Sequence, residues 1–262
     1  MVVVAFVIGI MIWIGWELFF VFPTRWLKVE RVEWDSEVNK KILQISDLHI
    51  RNMRVSLNKI RRVIEEEQPD YIFLTGDFID RTEKELPKLE RFLSMIETDG
   101  VESYAVLGNH DRHLTDVGTL ERLLNRYNIR LMKNEWVEKE DVVIVGIDDY
   151  GRGHHNMEMS FSFANKKQKD VVVLTHDPNI IQELQHNYSM LVAGHLHGKQ
   201  VNIPYFFHFV YMGQIPRNGI YKGKHYGKHG PFYISKGIGQ SHLNFRFMVR
   251  SEVTIHELRR IV

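Results

Sequence analysis

The sequence contains no cysteine among its 262 residues. Disulfide bonds and thiolate metal sites are therefore excluded, so a bound metal would need imidazole, carboxylate, amide or water ligands. This absence leaves the cellular compartment open, because both sides of a membrane tolerate cysteine-free chains. A strong charge of one sign is also lacking. The formal net charge is +1, which argues against a nucleic-acid-binding protein.

The sequence also lacks repeats, low-complexity segments and any linker that would separate two folded domains. We therefore predict an N-terminal membrane anchor over residues 1–24 and one folded domain over residues 40–262. A domain of that length buries a substantial core. Histidine, by contrast, is abundant, with 14 residues. Packing alone does not need so many imidazoles, so their positions guide the search for a site.

The chain begins with an apolar run that carries almost no charge. Residues 2–22 contain one charged side chain, Glu17. As a helix, this run would span roughly 30 Å, which matches the hydrocarbon core of a bilayer. Pro23 is expected to end the helix, and Glu17 lies near that end, where its carboxylate reaches water or a headgroup. Trp13, Trp16 and Trp26 suit the interfacial zones of a membrane.

Two alternatives to an anchor fit this run less well. A cleaved signal peptide would have a shorter apolar run, a preceding basic residue and a small-residue cleavage site. A core helix of a soluble domain would show a polar face, which the run lacks. Basic residues follow the run and none precedes it, so the positive-inside rule places the domain in the cytoplasm. These residues are Arg25, Lys28, Arg31, Lys40 and Lys41.

Short apolar runs alternate with amphipathic runs in the rest of the chain. This alternation predicts an α/β fold whose ligand site lies at strand ends. Ser56 is placed to cap the first helix, and Pro87 is tolerated in the early turns of the second. Helices are predicted over residues 56–67, 82–96, 115–127 and 180–187. Strands are predicted over residues 41–46, 71–75, 103–107, 142–147, 171–175, 190–193, 232–235 and 253–258.

Polar motifs follow directly after five of the predicted strands. Singly, each motif is more often a surface pair or a hydrogen-bonded structural residue than a ligand set. Together, at strand ends and in this order, they indicate one shared site. The motifs are Asp47-Leu48-His49, Gly76-Asp77-Phe78-Ile79-Asp80, Gly108-Asn109-His110-Asp111, Thr175-His176-Asp177-Pro178 and Gly194-His195-Leu196-His197.

The spacing within these motifs favours a metal site. Side chains at i and i+2 of an extended segment point the same way, so Asp47 and His49 are expected to converge on one ion. The same argument applies to His195 and His197. Asp77 opens a loop after a glycine, where its carboxylate can bridge two ions. Glycines 76, 108 and 194 let the backbone turn sharply beside the site.

The motif series resembles the calcineurin-like metallophosphoesterase superfamily over residues 41–258. The apolar N-terminus and the tail segments at residues 233–241 and 252–258 resemble its bacterial membrane-associated branch, which includes YkuE- and YaeI-type enzymes. The resemblance implies a four-layer α/β/β/α sandwich, here preceded by one N-terminal transmembrane helix. One departure from the branch is His242, at a position where small residues are common.

The resemblance also implies the role of each site residue. Asp47, His49 and His197 would hold the first metal together with Asp77. Asp77 would bridge to a second metal, whose other ligands would be Asn109, His176 and His195. His110 would face the substrate phosphate and either protonate the leaving oxygen or stabilise its charge.

The residue types agree with that chemistry. Nitrogen and oxygen ligands without sulfur suit Mn, Fe or Zn. Two divalent ions about 3.5–4 Å apart clamp the attacking and leaving oxygens of a phosphoryl transfer and acidify a bridging water. The hypothesis is that the resulting hydroxide attacks phosphorus while His110 acts as general acid, since imidazole has a suitable pKa.

Four further carboxylates have two interpretations each. Asp80 either supports a metal ligand or caps the next helix. Asp111 either orients His110 or caps the following turn. Asp148 and Asp149 follow a strand, and a role in a turn is favoured over contact with the site.

Three loop segments are candidates for surface roles. His154 and His155 lie in a glycine-rich loop and are expected to be exposed. Residues 222–228 form an expected hairpin with three lysines, for which a solvated loop is favoured over contact with anionic lipid. Residues 203–210 are apolar and aromatic. A core strand is favoured there over contact with acyl chains.

The leading functional hypothesis is a phosphodiester or pyrophosphate hydrolase acting near the membrane on a lipid-linked substrate. Some members of the superfamily cleave UDP-diacylglucosamine, which makes that class of substrate a candidate. A broad phosphodiesterase on soluble nucleotides is one alternative. A non-catalytic interaction domain stabilised by metal is another. The sequence does not indicate the oligomeric state.

Overall fold

The computed structural model describes residues 2–96, 100–163 and 169–260, and these form two six-stranded sheets packed face to face. In the first sheet the strand order is β1-β12-β2-β3-β4-β5, and in the second it is β10-β11-β9-β8-β7-β6. The strands, numbered along the chain, are β1 Lys28–Asp35, β2 Lys40–Ile45, β3 Tyr71–Thr75, β4 Glu102–Val106, β5 Ile129–Leu131, β6 Glu135–Glu138, β7 Val142–Gly146, β8 Asp170–Leu174, β9 Met190–Ala193, β10 Gly223–Gly227, β11 Gly230–Ile234 and β12 Glu252–Arg259.

The centre of each sheet is parallel. Strands β2 to β5 run in one direction, as do β7, β8, β9 and β11, while β6 and β10 add antiparallel edges to the second sheet. The inner strands β3, β7 and β9 are buried along their whole length. Burial on both faces explains why they appear in the sequence as continuous apolar runs without alternation.

Helices cover the outer faces, so the predicted four-layer α/β/β/α arrangement is confirmed. The first sheet packs against three amphipathic helices, and shorter helices and 3₁₀ turns cover the second. The helices of the domain are α3 Leu57–Glu67, α4 Leu86–Ile96, α5 Val117–Arg126, α6 Met157–Ser160, α7 Phe206–Phe209 and α8 Gln214–Arg217, and the 3₁₀ turns are Glu83–Glu85, Asp111–His113, Pro178–Gln182 and His197–Lys199.

The interface between the two sheets is mainly apolar, and a hydrogen-bonded chain of buried polar groups crosses it. Gln44 donates to the carbonyl oxygen of Ala193 at 3.0 Å, and its own oxygen lies 3.0 Å from Nε2 of His256. The other ring nitrogen of His256 accepts from the indole N–H of Trp34 at 3.1 Å. Burial lowers the pKa of His256 to about 3, so this imidazole is neutral. The chain of bonds joins the sheets just below the strand ends that form the site.

An apolar helix precedes the domain. It is 24 residues long and runs over Val2–Arg25 as α1 Val2–Trp16, a π-helical turn Glu17–Val21 and α2 Phe22–Arg25. It is long and apolar enough to cross a membrane. The prediction that Pro23 ends this helix is wrong. Pro23 lies in the first turn of α2, where the absence of its N–H costs no hydrogen bond.

Three other predictions about secondary structure need correction. The predicted helix over residues 180–187 is only the 3₁₀ turn Pro178–Gln182, although Ile180 and Leu184 are both buried. Residues 203–210 are not a core strand, because α7 lies there and only Phe207 of its residues is buried. The first sheet also includes β1, which precedes the predicted domain start at residue 40. Its charged residues concealed an edge strand.

Candidate metal centre

All seven predicted ligands and His110 lie at the carboxyl ends of the parallel strands. Loops leave β2, β3 and β4 in the first sheet and β8 and β9 in the second, and a ligand follows each strand within three residues. Because parallel strands end at the same edge and the two sheets face each other, these loops meet at one place. The predicted ligands gathered there are Asp47, His49, Asp77, Asn109, His176, His195 and His197.

Four of these side chains form a first group around one point. The potential ligand atoms of Asp47, His49, Asp77 and His197 all lie within 4.8 Å of one another, and all four residues are buried. Nε2 of His49 lies 3.2 Å from Nε2 of His197 and 3.4 Å from Oδ2 of Asp77. Nε2 of His197 lies 3.5 Å from Oδ1 of Asp47.

A second group shares Asp77 with the first. The ligand atoms of Asp77, His176 and His195 also lie within 4.8 Å of one another. Nε2 of His176 is 3.2 Å from Oδ2 of Asp77 and 3.2 Å from Nδ1 of His195. The same Asp77 oxygen therefore faces a histidine of each group. This is the position that a bridging carboxylate requires.

The donor set fits two divalent cations. Each group brings two imidazole nitrogens to 3.2 Å, a spacing that a shared cation stabilises without a proton between them. Nδ1 of His176 donates to the carbonyl oxygen of Thr75 at 2.8 Å, which leaves the Nε2 lone pair directed at the site. Within the described parts of the chain, the buried Oδ1 of Asn109 has no hydrogen-bond partner, as expected for an atom that binds a metal ion.

The charges of the centre are strongly coupled. Burial lowers the pKa of His49, but the nearby carboxylates of Asp77 and Asp80 outweigh this effect and raise that pKa to about 9. Burial also opposes charge on Asp77 and His176, yet each stabilises the other. The pKa of Asp77 is held well below its usual range and that of His176 well above it. Without metal, the centre thus retains protons that cations would displace.

Most of the ligands have an unusual backbone conformation. The sequence predicted that residues two apart in an extended segment converge on one ion. The backbone at these positions is left-handed instead of extended. His195 and His197 accordingly belong to different groups. A non-glycine residue in this region costs about 1–2 kcal/mol, so the centre is locally strained. The φ angles are 53° at Asp47, 35° at His49, 55° at Asp77, 72° at His195 and 47° at His197.

Glycines next to the ligands have two different roles. Gly76 has a φ of +81°, so it provides the sharp turn that the sequence predicted. Gly194 instead allows its backbone to approach the side chains of Ser46 and Asp47 closely. A Cβ at this position would lie 1.9 Å from Oγ of Ser46 and 2.5 Å from Oδ2 of Asp47.

Asp80 supports two histidines of the site. Its Oδ1 lies 3.4 Å from Nδ1 of His49, and its carbonyl oxygen accepts from Nδ1 of His110 at 2.8 Å. The alternative interpretation, a helix cap, does not apply because Thr82 and Glu85 form the capping box of the following turn. Asp80 therefore leaves Nε2 of His110 as the nitrogen available to a substrate.

Asp111 has neither of the two roles predicted for it. Its buried carboxylate accepts from the backbone N–H groups of Asp77 at 2.9 Å, Phe78 at 2.8 Å and Gly108 at 2.9 Å. It thus ties the loop after β3 to the loop after β4. Burial and the nearby charge of Asp77 raise the pKa of Asp111 to about 7, although the backbone donors oppose this shift.

The loop after β7 brings a further carboxylate to the centre. Asp148 pairs with Arg112, but Asp149 is fully buried, and neither of its oxygens has a hydrogen-bond partner in the described residues. Burial raises the pKa of Asp149, and the charges of His176 and Asp77 also act on it. The backbone carbonyl oxygen of Asp149 accepts from the N–H of His154 at 2.9 Å, so Asp149 also has the turn role that the sequence favoured.

Two cavities flank the second group and share Asn109 and His195. One, of about 390 Å³, also contacts His110 and His197 and has an apolar wall that the sequence did not reveal. This wall consists of Leu196, Val201, Phe206, Phe207, Val210, Met212 and Leu243. The other cavity, of about 540 Å³, is mainly polar and includes Tyr150, Arg152, Asn179, Gln182 and Gln214.

Comparison with known proteins identifies the family. Residues 40–199 match the family described as calcineurin-like phosphoesterase, and the chain belongs to that family. It is therefore a metallophosphoesterase, a hydrolase of phosphoesters, as its fold and clustered Asp and His residues indicate. The predicted resemblance is confirmed.

Its relatives include bacterial proteins of similar length. The chain is 38% identical over 250 residues to the uncharacterized metallophosphoesterase YkoQ of Bacillus subtilis (strain 168), with 90% of this chain and 92% of that protein covered. It is 23% identical over 235 residues to YkuE of the same organism, with 84% and 79% covered. It is 27% identical over 239 residues to the UDP-2,3-diacylglucosamine pyrophosphatase LpxG of Chlamydia muridarum (strain MoPn / Nigg), with 68% and 71% covered.

Proposed function

We propose that this enzyme hydrolyses a phosphodiester or pyrophosphate bond of a lipid-linked substrate at the membrane surface. The observation that carries the proposal is the pair of cavities on either side of Asn109 and His195. A polar head and an apolar tail joined by phosphate would place the phosphate at the metal centre and one end in each cavity. LpxG, one of the relatives, is named as a pyrophosphatase of UDP-2,3-diacylglucosamine, a molecule of this kind, which supports the same class of substrate here.

The two groups around Asp77 are proposed to hold two divalent cations, Mn, Fe or Zn. Asp47, His49 and His197 would bind the first, and Asn109, His176 and His195 the second. When bound, the cations supply an acidified water and positive charge for the phosphoryl oxygens. The protein fixes the positions of the ligands through strained loops and through the support of Asp80 and Asp111.

His110 is proposed to act on the leaving group. It lies in the wall of the apolar cavity, and its Nδ1 proton is donated to the carbonyl oxygen of Asp80. Nε2 is the ring nitrogen that remains to hold or donate a proton to the departing oxygen. Proton transfer by a positioned imidazole contributes about 10²- to 10⁴-fold to a rate.

The N-terminal helix is proposed to anchor the enzyme as a single-pass protein of the cell membrane. Its apolar side chains are exposed along α1, and a helix of this length spans about 36 Å. Glu17 lies 3.9 Å from Arg25 at the end next to the domain. The basic residues after the helix favour the cytoplasmic side for the domain.

The test compares two substrates on the purified full-length enzyme in lipid nanodiscs with Mn. We expect hydrolysis of a nucleotide-linked lipid diphosphate to exceed that of a cyclic nucleotide, and His110→Ala to lose both activities. His154→Ala, which alters an exposed imidazole, is the matched control. A preference for the cyclic nucleotide would favour the alternative of a broad phosphodiesterase, for which the polar cavity provides the supporting observation.

A further inference from the structure

Two loops near the apolar cavity present large apolar side chains to solvent. In and around α7, Tyr205 is 72% exposed, Phe209 83% and Tyr211 71%. In the loop before β12, Leu243 is 50% exposed and Met248 69%. We call these five residues the aromatic rim. Soluble surfaces rarely gather so many exposed apolar side chains, and such a patch marks an interaction site.

The two loops of the rim are tied together by hydrogen bonds. The N–H of Asn202 donates to the carbonyl oxygen of Phe247 at 3.0 Å, and the N–H of Phe247 donates to the carbonyl oxygen of Gln200 at 2.9 Å. The side chain of Gln200 donates to the carbonyl oxygen of Leu243 at 2.7 Å. The rim is therefore one surface carried by two connected segments.

The same loop is packed against the end of the apolar helix. The ring centroids of Trp16 and Phe245 are 5.3 Å apart, and those of Phe20 and Phe247 are 5.0 Å apart. The N–H of Arg246 donates to the carbonyl oxygen of Phe20 at 3.0 Å. Exposed apolar surface thus continues from the helix through these rings to the rim. If the helix crosses a bilayer, Trp16 lies near its interface and brings the rim to the same depth.

Basic side chains lie beside aromatic ones at the rim and at the end of the apolar helix. Arg217 lies 5.7 Å from the ring of Tyr211, and Arg250 lies 3.5 Å from the ring of Trp26. Aromatic side chains beside basic ones suit the headgroup region of an anionic membrane, where each basic residue contributes about 1 kcal/mol.

We propose that the aromatic rim inserts into the headgroup region of an anionic bilayer and forms a second membrane contact beside the anchor. The proposal rests on the membrane anchoring in the proposed function. It places the mouth of the apolar cavity against the lipid surface, since Leu243 belongs to both the cavity wall and the aromatic rim. Val210, also in the wall, is exposed between Phe209 and Tyr211 of the rim. A lipid substrate then enters without crossing water.

The absence of cysteine allows a direct test by site-specific labelling. Phe209→Cys, Val7→Cys and Tyr226→Cys are each labelled with an environment-sensitive fluorophore in full-length protein. The proteins are placed in nanodiscs of phosphatidylglycerol and phosphatidylcholine, with or without brominated acyl chains. Tyr226 is the matched control. It is 80% exposed but lies next to the turn of the β10–β11 hairpin, at the end of the sheet opposite the site.

We expect brominated lipid to quench labels at positions 209 and 7 but not at 226. Quenching at 7 alone would overturn the rim proposal and leave the anchor intact. No quenching at 7 would overturn the anchor itself. A signal at 209 that depends on protein concentration and not on brominated lipid would indicate a second copy of the chain on the rim and would overturn the proposal.

A second variant links the contact to turnover. Phe209→Asp is expected to lower hydrolysis of a lipid diphosphate in anionic vesicles while leaving hydrolysis of a soluble aryl phosphodiester unchanged. Phe209 does not line the cavity, and Tyr226→Asp controls for an added charge. Equal loss on both substrates, or no loss on the lipid, would contradict the proposal.

Discussion

Removal of the Asp111 carboxylate is expected to destabilise the fold and the metal centre together. Asp111→Ala leaves four buried backbone donors without an acceptor, namely the N–H groups of Asp77, Phe78, Ile79 and Gly108. An unsatisfied buried donor costs about 1–3 kcal/mol, so the sum is about 4–12 kcal/mol. Even its lower end is a large part of a typical free energy of unfolding of about 5–15 kcal/mol.

The matched comparison is Asp116→Ala. Asp116 is exposed and caps α5 through one hydrogen bond from the N–H of Gly118, at 2.8 Å. Loss of such a cap costs about 1 kcal/mol. Denaturant unfolding of the metal-free, detergent-solubilised protein, followed by tryptophan fluorescence, measures both variants. A cost for Asp111→Ala no larger than for Asp116→Ala would refute the assignment of this carboxylate as the tie between the two loops.

Three further predictions concern the metal centre. Asp77→Ala should lose both metals in elemental analysis, whereas His197→Ala should lose only one; retention of two metals without Asp77 would contradict the bridge. In the metal-free protein the pKa of His49 is raised from 6.5 to about 9, so its stabilisation is complete below pH 6.5 and is lost as the pH rises through 9. His49 should contribute up to about 3 kcal/mol to the fall in the free energy of unfolding across that window, so the fall should be smaller in His49→Gln, which keeps only the contribution of His176. Gly194→Ala should cost about 1–3 kcal/mol in thermal unfolding and weaken metal binding, because its Cβ would clash with Ser46 and Asp47; an unchanged Tm would refute the close approach.

The sequence predicted the central strands well because burial on both faces leaves an unmistakable apolar run, as at residues 71–75 and 190–193. The edge strand β1 was missed because its exposed charges conceal alternation. The helix predicted over residues 180–187 failed because two apolar residues one turn apart are as compatible with a single 3₁₀ turn as with a helix. In each case the missing information was the tertiary surroundings of the segment.

The site was predictable in its members and not in its geometry. The positions of Asp47, His49 and Asp77 after predicted strands were sufficient to predict that they lie close together, since parallel strands end at the same edge of a sheet. The left-handed backbone at these residues has no sequence signal, because strain there is imposed by the surrounding loops. Nor did the sequence show that the apolar segment over residues 203–210 forms a cavity wall and an exposed surface instead of a core strand. That distinction depends on what covers it.

The position of β12 between β1 and β2 has a consequence for biosynthesis. β1 follows the N-terminal helix directly and pairs with no other strand in the described chain, yet its partner begins at Glu252, more than 200 residues later. At about 5–20 residues per second, the ribosome needs roughly 10–40 s to make that partner. Once His197 has been made, the nascent chain has every proposed metal ligand but keeps two open sheet edges beside its apolar helix until β12 follows. A transcript cut short before Glu252 would therefore yield a chain able to gather metal and prone to pair edge to edge with its neighbours.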